Sequence, residues 1–356
     1  MLARSRISFE GNLSYLIGAL VSLGLFSLIL FVLGYNPVLS LETIAIGSFG
    51  SVYNATETLV LMAPFLLCAL AFLIPFKSRF YNIGAEGQLY LGALFAYIAS
   101  SNLANFPSVI AIPLAAIFAA FGGIVWLALP LFMRVKLGIN EIFPTIVMNF
   151  IASFLLSWLV TGPIKDPHAP NPQTALVPHS TWLPVLISNT RFDIGIVFAV
   201  LCSVGIYVVL YKTVLGYEIR ASGANPRAAQ TGGISISKSI IWVGLLSGGL
   251  AGIAGWIAID GQNHILVQGF DSYSWGYQGI AIAALGAFNP LGSLIASIFY
   301  SALSFGGESL QRLTGSASVP IELISTLQVT IVITLLVVQR WVSGKKFSFW
   351  KREKVS

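Results

Sequence analysis

The chain has 356 residues, of which 56% are hydrophobic and only 9% are charged, and its mean hydropathy is +0.85. Soluble domains carry about 25% charged residues, so this composition excludes an ordinary soluble protein. The formal net charge of +6 comes from Lys and Arg in short segments between apolar runs. That placement is typical of membrane proteins and argues against nucleic-acid binding.

The first apolar run covers 13–34 and follows Arg4 and Arg6. A signal peptide has a shorter apolar core and a cleavage site of small residues, whereas a spanning helix needs about 20 apolar residues. The run therefore predicts a retained first spanning helix. The moderately apolar segment 39–58 predicts a helix that lies on the membrane surface.

Apolar runs along the chain predict an all-α fold, a polytopic transmembrane helical bundle of about ten spanning segments with some broken helices. The predicted segments are 13–34, 57–76, 81–100, 107–133, 141–161, 193–212, 239–259, 277–289, 291–307 and 321–339. With the N-terminus inside, only Lys165, Arg191 and Arg312 of the 19 Lys and Arg residues fall in outside segments. This bias predicts that both termini are cytoplasmic, including a tail at 340–356. We expect a single transmembrane domain over 1–356.

Two connecting segments stand apart. Segment 162–192 is rich in proline, which prevents a helix, and predicts an exposed extracytoplasmic loop or lid. Segment 213–238 is the longest cytoplasmic loop and is rich in small and helix-breaking residues. Within it, 226–229 predicts a short helix with Asn225 as its N-cap. The length favours a helix that docks in a groove of a cytosolic partner over a plain connector.

Residues 82–88 (NIGAEGQ) place an amide, a carboxylate and two glycines at the start of a spanning segment. Polar side chains in hydrocarbon are costly and are retained where they face a cavity or a partner. The segment is consistent with a discontinuous helix that lines a polar pathway. It is also consistent with a cytoplasmic turn that caps a helix, with Glu86 near the helix N-terminus.

The start of the fifth predicted span carries Asn140 and Glu141, followed by Asn149 two turns later. Glu141, Thr145 and Asn149 share one helix face by their spacing. Asn149 could lie on the wall of a pathway, or it could hydrogen-bond a neighbouring helix, as amides in membranes commonly do.

Segments 80–88 and 275–279 both contain glycines and amides, including Gln278, and both lead into short apolar runs. Transporters built from repeats have interrupted segments at corresponding positions of their two halves. The sequence leaves a true repeat open. Glycines in the seventh predicted span favour close helix packing over a gating role; they are Gly244, Gly248, Gly249, Gly252 and Gly255.

The sequence contains no G-x-x-x-x-G-K-[ST] phosphate loop, no nucleophile elbow and no H-E-x-x-H motif. Cys68, Cys202 and the three histidines do not have metal-ligand spacing. We therefore expect no enzyme activity, no metal and no cofactor in this chain, and any ATP would be bound by a partner.

Several stretches together resemble the bacterial ABC importer permeases that serve simple sugars, branched-chain amino acids and nucleosides. Residues 82–88 resemble the signature N-I-G-x-E-G-Q, and 216–234 resemble the coupling loop of that family. Residues 141–149 and 162–166 are similar to the nucleoside-type branch, and 279–292 match another family stretch. Departures at Ser222 and at Phe143-Pro144 leave the substrate branch open.

The resemblance implies a permease pair, either homodimer or heterodimer, with two cytosolic ATPase subunits and an extracytoplasmic solute-binding protein in a bacterial inner membrane. It implies a solute pathway along the helices that bear Asn82, Glu86, Gln88, Asn149 and Gln278. It also implies an ATPase-coupling loop that includes Gly216, Glu218, Arg220, Gly223, Asn225, Pro226, Ala228, Ala229 and Gly233.

The leading hypothesis is an importer permease for a nucleoside. Permeases for a simple sugar or a branched-chain amino acid remain alternatives within the same class. An ion-coupled secondary transporter is the alternative from a different class, but it would need buried acids in mid-membrane, and the carboxylates here cluster near predicted helix ends.

Overall fold

The computed structural model describes residues 20–312 and 320–342, and its regular elements in these ranges are helices. The helices are α1 (Leu20–Val32), α2 (Pro37–Phe49), α3 (Val52–Phe76), α4 (Ala85–Asn102), α5 (Ser108–Leu137), α6 (Ile142–Thr161), α7 (Ile194–Lys212), α8 (Val214–Ala224), α9 (Pro226–Thr231), α10 (Ile236–Trp256), α11 (Trp275–Leu285), α12 (Pro290–Gln311) and α13 (Ile321–Val342). A π-helical stretch, Ile257–Asn263, continues α10. The all-α prediction is confirmed for the described residues.

Within the described residues, six helices are long and apolar enough to cross a membrane, namely α3, α5, α6, α7, α12 and α10 together with its π-helical extension. The pair α1 and α2 would make a seventh, although it bends by 120°. Of the other predicted spans, α4 is polar at its start and α11 has only 11 residues. The described residues therefore support six or seven apolar spans, and the prediction of about ten is not confirmed.

The first part of the chain differs from its prediction. Predicted span 13–34 begins outside the described residues, and α1 ends at Val32. Gly34 has a φ of +86°, and the Asn36 side chain accepts from the amides of residues 38 and 39 at 3.0 and 3.2 Å. This N-cap, followed by Pro37 in the first turn, starts α2 in a new direction.

The 213–238 segment is more helical than its small, breaker-rich sequence predicts. Helix α8 continues almost directly from α7, and only α9 was expected. The predicted N-cap is confirmed, since the Asn225 side chain accepts from the Ala228 amide at 3.2 Å, with Pro226 in the first turn.

Backbone contacts divide the chain into two compact units, 51–301 and 1–50 with 302–356. In the larger unit, α4 packs against α5, α6 and α10 and is buried over most of its length. In the smaller unit, the Ser48 hydroxyl donates to the Ala302 carbonyl at 2.6 Å, and the Ser22 hydroxyl donates to the Ile331 carbonyl at 3.3 Å. The prediction of a single domain stays a prediction.

Glycines bring α4, α5 and α10 into backbone contact, as predicted for the glycine-rich span. A Cβ on Gly252 would overlap the Ala119 carbonyl on α5, and a Cβ on Gly92 would overlap Gly252 itself. A Cβ on Gly255 would overlap the backbone of α4 at Ala93. Small residues permit such close approach, so these contacts hold the middle of α4 directly against α10, which in turn lies directly against α5.

Candidate functional site

Asn82 joins the non-helical segment before α4 to two helices. Its Nδ2 donates to Gln88 Oε1 at 3.0 Å and to Ser247 Oγ on α10 at 2.8 Å. Its Oδ1 accepts from the Gly84 amide and from Gln88 Nε2, both at 2.9 Å. The pair of amides therefore fixes the turn that leads into α4 and attaches it to α10.

Asn149 on α6 makes a second set of contacts to the same turn. Its Oδ1 accepts from the Gly87 amide at 2.8 Å, and its Nδ2 donates to the Ile83 carbonyl and to Tyr277 Oη, both at 3.0 Å. The interhelical role is thus present in the structure, since one amide links α4, α6 and α11.

Glu86 connects the starts of α4 and α11. The N-cap residue of α11, Ser274, makes no side-chain cap, and the Glu86 carboxylate instead accepts from the amides of Gly276 and Tyr277. Tyr90 donates its hydroxyl to the other carboxylate oxygen. A helix N-terminus has a partial positive charge that stabilises an anion, so Glu86 neutralises two helix starts at once. The predicted cap role of segment 82–88 therefore extends to a second helix.

Asn82, Glu86, Gln88 and Asn149 form one group, called the amide–carboxylate cluster below. Each is at most 2% exposed within the chain, and their side chains bond to each other, to backbone groups and to neighbouring hydroxyls. Gln278, the fifth predicted pathway residue, lies on α11 and is half-buried. Its Oε1 has no hydrogen-bond partner among the described residues. The structure thus brings four of the five together, and the fifth has a buried acceptor without a partner among the described residues.

Glu141 lies at the N-cap position of α6 and is 2% exposed. Its carboxylate accepts from the Tyr81 amide at 2.7 Å and pairs with the Arg134 guanidinium of α5 at 3.2 Å. The sequence placed Glu141 on the face of Asn149, but periodicity gave no signal for its contact with the turn before α4.

The predicted coupling residues occupy α8, α9 and the turns beside them. Gly216, Glu218, Arg220 and Gly223 lie on α8, Asn225 caps α9, Pro226, Ala228 and Ala229 lie on α9, and Gly233 follows with a φ of +85°. Gly216, Gly223 and Ala229 are buried, whereas Asn225, Ala228 and Gly233 are exposed. The Arg220 guanidinium lies 5.1 Å from the centre of the Tyr211 ring. The segment therefore has one packed face and one free face.

The 162–192 loop is attached to the segment that follows the π-helical stretch. Amides of the loop donate to carbonyls beyond it, from Val177 to His264 and from Thr174 to Leu266, both at 2.9 Å. Trp182 stacks on the His264 ring, with centroids 3.8 Å apart and an interplanar angle of 6°. The expected loop is present, but it is ordered against the bundle because its backbone groups are paired there.

An ion pair beside this loop was not predicted. Glu57 on α3 is fully buried, and Arg191 Nε donates to its two carboxylate oxygens at 3.1 and 3.0 Å. The two residues are 134 positions apart, so no local pattern could join them.

Two titratable groups beside the loop have shifted pKa values. Asp193 caps α7 through its Oδ1, which accepts from the Gly195 amide at 2.6 Å, while its Oδ2 has no partner among the described residues. Burial raises the pKa of Asp193 to about 6. Burial, together with the charges of His179 and Arg191, lowers the pKa of His264 to about 4. Within the described residues, no group of three His, Cys, Asp or Glu side chains could hold a metal ion.

Comparison with known families assigns most of the chain. Residues 54–338 match the family described as "Branched-chain amino acid transport system / permease component". The comparison with solved structures gives no match.

Three relatives match over most of their length. The nucleoside ABC transporter permease protein NupB of Lactococcus lactis subsp. cremoris is 30% identical over 308 residues, which are 83% of this chain and 81% of the relative. The glucose ABC transporter permease protein TsgB13 of Haloferax volcanii is 31% identical over 338 residues, 92% and 88% of the two chains. The guanosine ABC transporter permease protein NupP of Bacillus subtilis is 29% identical over 335 residues, 93% and 95% of the two chains.

Proposed function

This chain belongs to the branched-chain amino acid transport system permease family and is an integral membrane permease of an ABC transporter, and on that premise we propose that it imports a nucleoside. The observation that carries the solute assignment is the similarity, over more than four fifths of the chain, to one relative named for nucleosides and one named for guanosine. A simple sugar is the second candidate, because a glucose permease is equally similar.

The proposed arrangement has about ten crossings with both termini in the cytoplasm of a bacterial inner membrane. Its support is the placement of Lys and Arg along the sequence and the six or seven apolar spans. Helix α4 would be a further, internal crossing, since its polar start is buried by other helices and would not meet lipid.

The proposed assembly pairs two permeases with two cytosolic ATPase subunits and an extracytoplasmic binding protein. Members of this family are transporter components, so the energy source and the solute receptor would be separate chains, and this chain would have no catalytic site or cofactor. The helices α8 and α9 would dock on the ATPase. Their packed and free faces support this role, because a docking element needs both an attachment to the bundle and an open surface.

The proposed solute pathway follows the helices that bear the amide–carboxylate cluster and Gln278. The cluster would hold the starts of α4 and α11 in place, because its polar atoms are already bonded within the chain. Gln278 would contact the solute in a conformation that exposes its Oε1, which is buried here without a hydrogen-bond partner among the described residues and can accept a hydrogen bond from a ribose hydroxyl or a base amino group.

Uptake of radiolabelled guanosine tests the proposal in a strain that lacks this gene and is complemented with it. We expect saturable uptake that depends on ATP and on the complementing gene. Excess unlabelled nucleoside should inhibit this uptake, whereas excess glucose and excess leucine should not. Absence of guanosine uptake together with gene-dependent uptake of labelled glucose would assign the chain to the sugar branch and would contradict the nucleoside proposal.

A further inference from the structure

Helix α8 rests on the backbone of the turn that follows α3. A Cβ on Gly223 would overlap the Lys77 carbonyl oxygen and would lie 3.1 Å from the Ser78 Cα. Arg79, with a φ of +58°, directs its guanidinium to the Ala224 carbonyl at 3.5 Å. The two segments therefore meet backbone to backbone, without a flexible side chain between them.

The charges at this contact do not favour the approach of the two segments. Burial, together with the nearby Arg220 guanidinium on α8, lowers the pKa of Lys77. Lys77 and Arg220 thus place like charges on the two segments that meet at Gly223, and like charges repel. The contact at Gly223 must therefore be set by packing and not by charge attraction.

The same turn continues without helix to α4, and its residues are held by three different partners. The Tyr81 amide donates to Glu141 at the start of α6, Asn82 bonds to Ser247 on α10, and the Ile83 carbonyl accepts from Asn149 on α6. Segment 77–84 therefore has α8 at one end and the amide–carboxylate cluster at the other.

We propose that segment 77–84 transmits the movement of α8 and α9 to the starts of α4 and α11, and that Glu141 is the positioning residue that holds this segment. The inference rests on the proposed function, in which α8 and α9 contact the ATPase. A displacement of α8 moves Lys77 directly, because their backbones touch. The bond from Tyr81 to Glu141 keeps the segment from bending and so passes the displacement to Glu86, which joins α4 to α11.

The experiment uses the permease reconstituted with its ATPase and binding protein in proteoliposomes, and measures nucleoside imported per ATP hydrolysed. Gly223→Ala inserts a methyl group into the contact, and we expect the ratio to fall about tenfold, a typical size for coupling between sites. Gly205→Ala on α7 is the matched control, because it lies outside the coupling loop and, apart from its own helix backbone, no atom of the described residues would lie within 4 Å of its Cβ, and we expect an unchanged ratio. An unchanged ratio in Gly223→Ala would overturn the inference.

Glu141 is tested by comparing two substitutions. Glu141→Gln keeps an oxygen that can accept from the Tyr81 amide, and we expect it to retain at least about half of the ratio, whereas Glu141→Ala loses the acceptor and about tenfold of the ratio. Equal loss in both variants would assign the effect to the Arg134 ion pair and would contradict positioning through Tyr81.

A third variant separates this inference from the function on which it rests. Arg227 is exposed on α9, and we expect Arg227→Glu to weaken co-purification of the ATPase. Normal co-purification would contradict the docking of α8 and α9 and, with it, the transmission. Weakened co-purification together with a normal ratio in Gly223→Ala would overturn the transmission alone.

Discussion

The amide–carboxylate cluster and the region beside the 162–192 loop both bury polar groups, but they satisfy them differently. In the cluster, Asn82, Gln88 and Asn149 use both ends of their amides. Beside the loop, Asp193 Oδ2 and His264 Nδ1 are buried without a hydrogen-bond partner among the described residues. A buried polar group without a partner costs about 1–3 kcal/mol. The hydrogen bonds of the first region therefore hold it in one conformation, whereas the second region contains buried polar atoms that could gain hydrogen-bond partners in another conformation.

The largest effect is expected when the amide–carboxylate cluster, whose polar groups are bonded, loses Glu86. Glu86→Ala leaves the amides of Gly276 and Tyr277 and the Tyr90 hydroxyl without their acceptor. Because bonds to a charged group contribute about 1.5–3 kcal/mol, we expect a loss of roughly 3 kcal/mol and no measurable nucleoside uptake. The thermal unfolding midpoint of the purified protein in detergent checks the first, and the uptake assay checks the second.

Gln278→Met is the control for Glu86→Ala, because Gln278 is a polar residue near the start of the neighbouring helix α11 and its Oε1 has no hydrogen-bond partner among the described residues. We expect its free energy of unfolding to stay within about 1 kcal/mol of the wild-type value, and we expect uptake to be reduced through a higher KM. A midpoint as low as that of Glu86→Ala would show that the polar groups of both positions are structural, which would remove Gln278 from the proposed pathway.

The next effect concerns Asp193 and depends on pH. The ordinary pKa is 3.8 and the buried value is about 6, so between these values the folded protein holds a proton that the unfolded chain has lost. Stability therefore falls as pH rises through this window and stays low above it. Asp193→Asn keeps the acceptor for the Gly195 amide. Above about pH 7 we expect it to raise the free energy of unfolding by at most about 3 kcal/mol, with a higher midpoint, and this gain should disappear near pH 4.

Midpoints measured from about pH 4 to pH 8 decide this prediction, because the two proteins should converge only at the acidic end. A constant difference across the range would mean that the unpartnered Asp193 oxygen is not the source of the instability, and the contrast between the two regions would lose its main support.

The sequence predicts features that depend on local contacts, and it misses features that depend on contacts between distant residues. The N-cap of α9 and the glycine contacts of α10 were predicted because each depends on neighbours in sequence or on a small side chain alone. The cap that Glu86 provides for α11 joins residues 190 positions apart, and the Glu57 pair with Arg191 joins residues 134 positions apart. Periodicity contains no information on which distant partner a buried carboxylate will meet. It also gave no sign that 214–224 would be helical, because contacts of its glycines with the bundle offset their low helix propensity.

The smallest effect is expected at His264, where stabilising and destabilising contributions offset one another. His264 has a φ of +60°, a conformation that costs a residue other than glycine about 1–2 kcal/mol. Its ring stacks on Trp182, and an aromatic pair contributes about 0.5–1.5 kcal/mol. His264→Gly and His264→Ala both lose the stack, and both remove the buried Nδ1 that has no partner among the described residues, so these contributions cancel when the two variants are compared. Only the glycine variant also relieves the backbone, so we expect its free energy of unfolding to exceed that of the alanine variant by about 1–2 kcal/mol. Both are measured at about pH 7.5, where the side chain is neutral in the folded and unfolded states. If the glycine variant were as unstable as the alanine variant, the left-handed backbone at 264 would carry no strain, and the stack alone would account for the stability of this contact.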